Sequence, residues 1–213
     1  MSSQIHDILK KTWGFEDFWP LQEEIINSVL QGNDVLALLP TGGGKSICFQ
    51  IPALAQEGIC IVVSPLIALM KDQVENLVRK KIKAIAVTSA MSKREINVAI
   101  DNCVYGDYKF LYVSPERLIT DIFRTRVRKM KVNLIVVDEA HCISQWGYDF
   151  RPSYLKVAEL RALLPHVPVL AVTATATGEV VKDIQQKLLF KKQNVLQKSF
   201  ERGLVKEHEK DLL

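Results

Sequence analysis

With 213 residues and 48% apolar content, the chain is long enough to bury one sizeable core and has the composition of an ordinary globular domain. It contains no run approaching the ~20 apolar residues of a membrane-spanning helix. The opening Met-Ser-Ser-Gln-Ile-His also lacks the basic-then-apolar pattern of a signal peptide, so the expected location is the cytoplasm, or the nucleus where the source has one. A net charge of +4 confines any nucleic-acid binding to local patches.

Residues 1–31 read as a largely helical N-terminal segment ahead of the first strand. From there β-branched runs alternate with runs of helical period. Strands are expected at 34–39, 59–63, 84–88, 110–113, 132–137, 168–173 and 194–197, and helices at 21–31, 45–55, 66–80, 92–103, 116–129, 153–164 and 178–188. Continuously apolar stretches such as Leu134-Ile135-Val136-Val137 fit strands covered on both faces of a parallel sheet. In the helix at 66–80, Leu66, Leu69, Met70, Val74, Leu77 and Val78 form a stripe expected to lie on that sheet. The expected fold is α/β, an open and mainly parallel sheet with helices on both faces and ligands at the carboxyl ends of its strands. The last residues, 201–213, mix both charge signs and read as a polar tail.

Between the first strand and its helix lies Thr41-Gly42-Gly43-Gly44-Lys45-Ser46. Glycines let successive backbone N–H groups turn toward one anion, and a helix N-terminus adds partial positive charge there. Lys45 can reach the β- and γ-phosphates of a nucleotide, and the Ser46 hydroxyl can supply a magnesium ligand. The usual phosphate-loop pattern begins with Gly, where this chain has Leu39, so the early turn falls to Pro40, Thr41 and Gly42. Downstream, Asp138-Glu139-Ala140-His141 follows directly on a strand. Such an acid pair suits phosphate hydrolysis, with Asp138 holding Mg2+ and Glu139 orienting or deprotonating the attacking water.

Cys48, Cys60, Cys103 and Cys142 show no Cys-x-x-Cys spacing and read as reduced small hydrophobes, with no zinc site expected. Two basic clusters, Arg79 to Lys83 and Arg124 to Lys131, fall near helix ends and read as solvated faces.

The chain resembles the DEAH-type superfamily 2 helicases, and among them the RecQ family of DNA helicases. The resemblance rests on Phe15-x-x-Phe18-x-Pro20-x-Gln22, Thr41 to Ser46, Ser64 to Gln73, Val113 to Leu118, Asp138 to His141, Cys142 to Pro152 and Thr173 to Ala176. It implies a RecA-like domain at 32–200 that binds ATP and Mg2+, preceded by an adenine-reading segment at 1–31, in a motor that hydrolyses ATP to translocate 3′ to 5′ on single-stranded DNA and unwind duplex. By the same resemblance, Lys45, Asp138, Glu139, His141 and Gln145 are catalytic. Gln22 reads adenine while Phe15 stacks on the base, joined by Trp19, which stands where the family commonly has arginine. Ser64, Lys71 and Ser114 grip DNA phosphates, whereas the residues alone read the two Ser-Pro pairs as helix starts. Trp146, Phe150 and Arg151 belong to an aromatic-rich loop that couples DNA to hydrolysis, with Tyr148 at a place usually held by histidine. Thr173 and Thr175 link the site to domain movement, or are plain strand chemistry.

The family's motor clamps ATP between two RecA-like domains, and the resemblance covers only the first. The second would supply an arginine worth ~10³ to 10⁵ in rate in related systems, so this chain is expected to bind ATP better than it hydrolyses it. Two other readings are a truncated nucleotide-dependent DNA-binding module without motor activity, and a small-molecule kinase, which the Asp138 to His141 motif opposes.

Overall fold

The computed structural model describes residues 2–40 and 42–197; Thr41, the domain end expected at 200 and the tail at 201–213 lie outside the described residues. In chain order the elements are α1 (Ser2–Trp13), α2 (Gln22–Leu30), β1 (Val35–Leu38), α3 (Lys45–Ala55), β2 (Ile59–Val63), α4 (Ile67–Arg79), β3 (Ala84–Val87) and α5 (Lys93–Tyr105). They continue with β4 (Phe110–Val113), α6 (Asp121–Val127), β5 (Val132–Val137), α7 (Lys156–Leu163), β6 (Val169–Thr173), α8 (Gly178–Lys187) and β7 (Val195–Gln197).

Among the described residues the strands form one seven-stranded sheet in the order β3-β4-β2-β5-β6-β1-β7, and every pairing is parallel. Strand alternation sends Leu36, Ile61, Val63, Ile135 and Val137 to one face, where Ile100, Phe123, Val157 and Ile184 of α5 to α8 cover them. Val35, Ala37, Cys60, Val62, Leu134 and Val136 face the other side, under Ile25, Phe49 and Met70 of α2 to α4. Each fully buried Val, Ile or Phe contributes about 1.5–3 kcal/mol, and two covered faces explain why these strands are apolar throughout rather than alternating. The helices α1 and α2 are fastened to α3 by a separate cluster of Ile5, Leu9, Ile26, Ile47 and Ile51.

The strand order positions the chemistry. β6 lies between β5 and β1, and β5 lies between β6 and β2. With neighbouring strands ~4.8 Å apart, the carboxyl ends of β2, β5, β6 and β1 line up as Ser64, Asp138, Thr173 and the glycine loop.

Three elements depart from expectation. The helix expected at 116–129 is a 3-10 turn, Pro115–Ile119, followed by α6, because extended Thr120 starts a new helix with its hydroxyl accepting from Phe123 N. The helix expected at 153–164 likewise opens as a 3-10 turn, Pro152–Leu155, before α7. In α4 only Met70 and Leu77 of the anticipated stripe are buried, and Leu66 and Val78 face solvent. Ile67 and Val74 of the same helix are partly buried and complete its contact with that face of the sheet.

Candidate active site

The glycine loop folds as its residues require. Gly42 and Gly44 have φ of +79° and +67°, a region costing an L-residue roughly 1–2 kcal/mol. The Gly43 N–H donates to Pro40 O at 2.9 Å. A side chain at Gly44 would run into the amide of Gln22, so glycine is required there on both counts. Helix α3 begins at Lys45, which brings its N-terminus and the Lys45 and Ser46 side chains to a cleft of about 360 Å³ also lined by Ser64, Asp138 and Glu139.

At the end of β5, the Asp138 carboxylate accepts from Ser64 Oγ at 3.2 Å and from Glu139 N at 3.0 Å, while Tyr154 Oη donates to Asp138 O at 2.8 Å. Burial, and then the adjacent charge of Glu139, push the Asp138 carboxyl above its ordinary value. Glu139 is in the left-handed region, with φ of +48°, and this turn aims its carboxylate back into the cleft. One oxygen lies 4.0 Å from Lys45 Nζ and the other 3.4 Å from His141 Nδ1. His141 Nδ1 also lies 2.8 Å from Thr173 Oγ1, so an imidazole protonated at Nδ1 can donate to either. Burial holds the His141 imidazole below its ordinary value, which keeps it neutral near pH 7. Lys45, Glu139, His141 and Thr173 thus form a continuous chain from the phosphate loop to the end of β6.

The aromatic loop is anchored from beneath. Ser144 Oγ donates to Asp183 Oδ2 at 2.6 Å and accepts from Trp146 N at 3.2 Å. Lys187 Nζ pairs with Asp183 at 3.0 Å, donates to Ile143 O at 3.2 Å and lies 5.8 Å from the centroid of the Phe150 ring. Above these anchors the rings are open, with Trp146 71% and Tyr148 78% exposed. The Tyr148 ring is stacked on His141 at 4.4 Å and 21°. Arg151 is held by Asp149 at 2.8 Å, Gln145 is exposed, and Phe150 is half-buried.

Other expected site residues fall into two groups. Phe15 and Trp19 are exposed rings on the stretch between α1 and α2. The Gln22 amide is engaged at both ends, accepting from Trp19 N at 2.9 Å and donating to Gly44 O at 3.2 Å; it ties the loop ahead of α2 to the phosphate loop. Lys71 is exposed on α4. Ser64 and Ser114, expected to grip DNA phosphates, are only 2% and 7% exposed. Ser64 follows the interior strand β2 and its hydroxyl is turned to Asp138. Ser114 is the extended residue before a 3-10 turn. The sequence reading also missed Tyr154 and Asp183, whose roles depend on contacts across 16 and 39 residues. Only the spacing of Asp183 and Lys187, one helical turn apart, hinted at a common surface.

The sequence profile of the DEAD/DEAH box helicases matches residues 19–184. The chain belongs to that family. This helicase domain is 43% identical over 196 residues to the ATP-dependent DNA helicase RecQ of Pasteurella multocida, covering 92% of this chain and 31% of that protein. It is 45% identical over 204 residues to the ATP-dependent DNA helicase RecQ of Bacillus subtilis, covering 95% of this chain and 34% of that protein. The chain therefore spans about a third of the length of these curated relatives. In fold it is similar to the helicase MrfA in its crystal structure with DNA and AMPPNP, at a TM-score of 0.71 and 18% identity, covering 91% of this chain and 28% of that one.

Proposed function

We propose that this helicase domain binds ATP with Mg2+ and hydrolyses it as the first RecA-like half of a RecQ-type motor that moves 3′ to 5′ on single-stranded DNA and unwinds duplex. The observation that carries the reading is the 4.0 Å approach of Lys45 to Glu139, which joins the phosphate loop to the strand-end acids across β6. Residues 1–31 contribute the adenine side of the site through Phe15 and Trp19, with Gln22 fixing their loop against Gly44.

Ser46 and Asp138 are the residues that would hold Mg2+. Their hard oxygens share one cleft with Lys45 and Glu139, and a divalent cation would offset the burial and like charge that raise the Asp138 carboxyl. When bound, the ion supplies positive charge to the phosphates and the leaving oxygen. Lys45 neutralises phosphate charge from the loop side. Glu139 takes the proton of the attacking water, with Lys45 and His141 fixing its two oxygens. His141 passes the position of Glu139 to Thr173, and through the Tyr148 stack to the aromatic loop, where Trp146 offers a face for a DNA base worth about 1–3 kcal/mol.

Among the described residues lining the cleft, Lys45 is the one cation. A second RecA-like domain that closes on the cleft and adds an arginine would complete the charge balance, a contribution of ~10³ to 10⁵ in rate. The test is ATPase turnover with and without single-stranded DNA, on this chain and on one extended by such a domain. Stimulation by DNA in the extended protein is expected, with weak turnover in the chain alone. Nucleotide binding without any hydrolysis in the extended protein would replace the motor reading with that of a nucleotide-dependent DNA-binding module.

A further inference from the structure

Helix α4 meets the nucleotide helix α3 at a partly buried polar contact. Gln50 is 4% exposed, and its Nε2 donates to Gln73 Oε1 at 3.1 Å. Gln50 is one helical turn after Ser46 and shares its face, so the phosphate loop and Gln50 move as parts of one rigid helix. Gln73 lies on α4, in the segment Ser64 to Gln73.

Open space lies on both sides of this bond. Gln73 lines the 360 Å³ phosphate cleft together with Ser46, Leu69 and Met70. It also lines a second groove of about 250 Å³ with Ser46, Gln50 and Leu77. The two helices are thus separated by free volume around the bond, and α4 buries only Met70 and Leu77. A third group completes the arrangement. Tyr112 lines the same cleft, and its buried hydroxyl makes no hydrogen bond of full geometry among the described residues. The Gln50 amide is the hydrogen-bonding group that acts on it, against the effect of burial. A buried hydroxyl short of a well-formed bond is rare, and here it offers the Gln50 amide a second place to bond.

We propose that Gln50 and Gln73 are positioning residues that transmit occupation of the phosphate loop to α4, with Tyr112 as the alternative partner of Gln50. This rests on the nucleotide-binding reading above. A ligand can shift such an equilibrium only through contacts that differ between the two arrangements. Phosphate at Lys45 and Ser46 provides them, because it acts on the first turn of the helix that carries Gln50. Release of Gln73 lets α4 adjust over its apolar contacts, and Lys71, exposed two residues before Gln73 on α4, moves with it.

Hydrogen exchange of this chain, with and without ATPγS and Mg2+, tests the proposal. In the wild type, nucleotide is expected to slow exchange in residues 44–52 and to change it at least about twofold in residues 67–79. Gln50→Leu should keep the first response and lose the second. Gln73→Glu, which still accepts from Gln50, should keep both, and Tyr112→Phe should shrink the α4 response by removing the competing partner. A role confined to packing would instead alter exchange in α4 equally with and without nucleotide. The proposal is overturned if the Gln50→Leu response in α4 matches the wild type, or if wild-type α4 is silent while the phosphate loop responds. Silence of the phosphate loop itself would overturn the nucleotide-binding reading, and this proposal with it.

Discussion

Asp138→Asn keeps the shape of the acid and removes its charge, and its effects on the free and liganded protein have opposite signs. In the free protein, Asn can still accept from Glu139 N through Oδ1 and can donate to Ser64 Oγ through Nδ2, so neither of the hydrogen bonds at 3.0 and 3.2 Å, worth about 1 kcal/mol each, is lost. What disappears is the burial of a charge beside Glu139. The folded carboxyl titrates above its ordinary 3.8, so its contribution is most favourable below that pH and is lost as pH rises through the folded value. At pH 7 the substitution should raise the melting temperature of the free protein. With ligand the sign reverses. A ligand at 100 times its Kd stabilises by about 2.7 kcal/mol, and 1 kcal/mol moves Tm by ~2–4 °C at this size, so saturating ATP and Mg2+ should raise the wild-type Tm by roughly 5–11 °C. In Asp138→Asn the part of that rise abolished by EDTA should be missing. Differential scanning fluorimetry with ATP, in Mg2+ or in EDTA, measures both effects. A variant that melts lower than wild type when free, or keeps the full Mg2+-dependent rise, refutes the account of this carboxylate.

Three further outcomes are expected. Glu139→Gln should leave nucleotide affinity within a few-fold and slow hydrolysis at least ~10²-fold; ordinary turnover in a steady-state ATPase assay would remove Glu139 from its role as base. Asp34 is fully buried against Arg161 at 3.1 Å and also accepts from Val169 N and Lys191 N, so Asp34→Ala should cost about 3–5 kcal/mol by urea denaturation, the usual penalty for leaving one buried charge unpaired, and a loss below ~1 kcal/mol would contradict that. Because burial holds folded His141 below its ordinary 6.5, the unfolded chain binds more protons just beneath that pH, and stability should fall as pH drops below it. His141→Gln should flatten this slope, and a slope unchanged in the variant would place the titration elsewhere.

The glycine loop, the strand-end acids and the alternation of strands and helices were legible in the sequence, because each depends on residues within one or two turns of chain. Backbone conformations open to glycine, a hydrophobic run ended by acids, and helical or strand period are local properties, and the structure realises them almost residue for residue. The places where helices broke, at Thr120 and before Lys156, were also local, but there a capping hydroxyl and a proline turn outweighed apolar periodicity.

Long-range pairing decided the rest. Nothing in the neighbourhood of Ser64 announces that it will meet Asp138, 74 residues on. That contact exists because β2 and β5 lie side by side in the sheet. The same ordering sets Thr173 beside His141, carries the Asp183 carboxylate under Ser144 and brings Gln50 to Gln73. Sequence determined which chemistry this chain carries, since that follows from residue type and short spacing. Only the tertiary structure determined which polar groups are committed to one another, because a side chain turns toward whichever partner the packed sheet leaves within reach once water has been excluded.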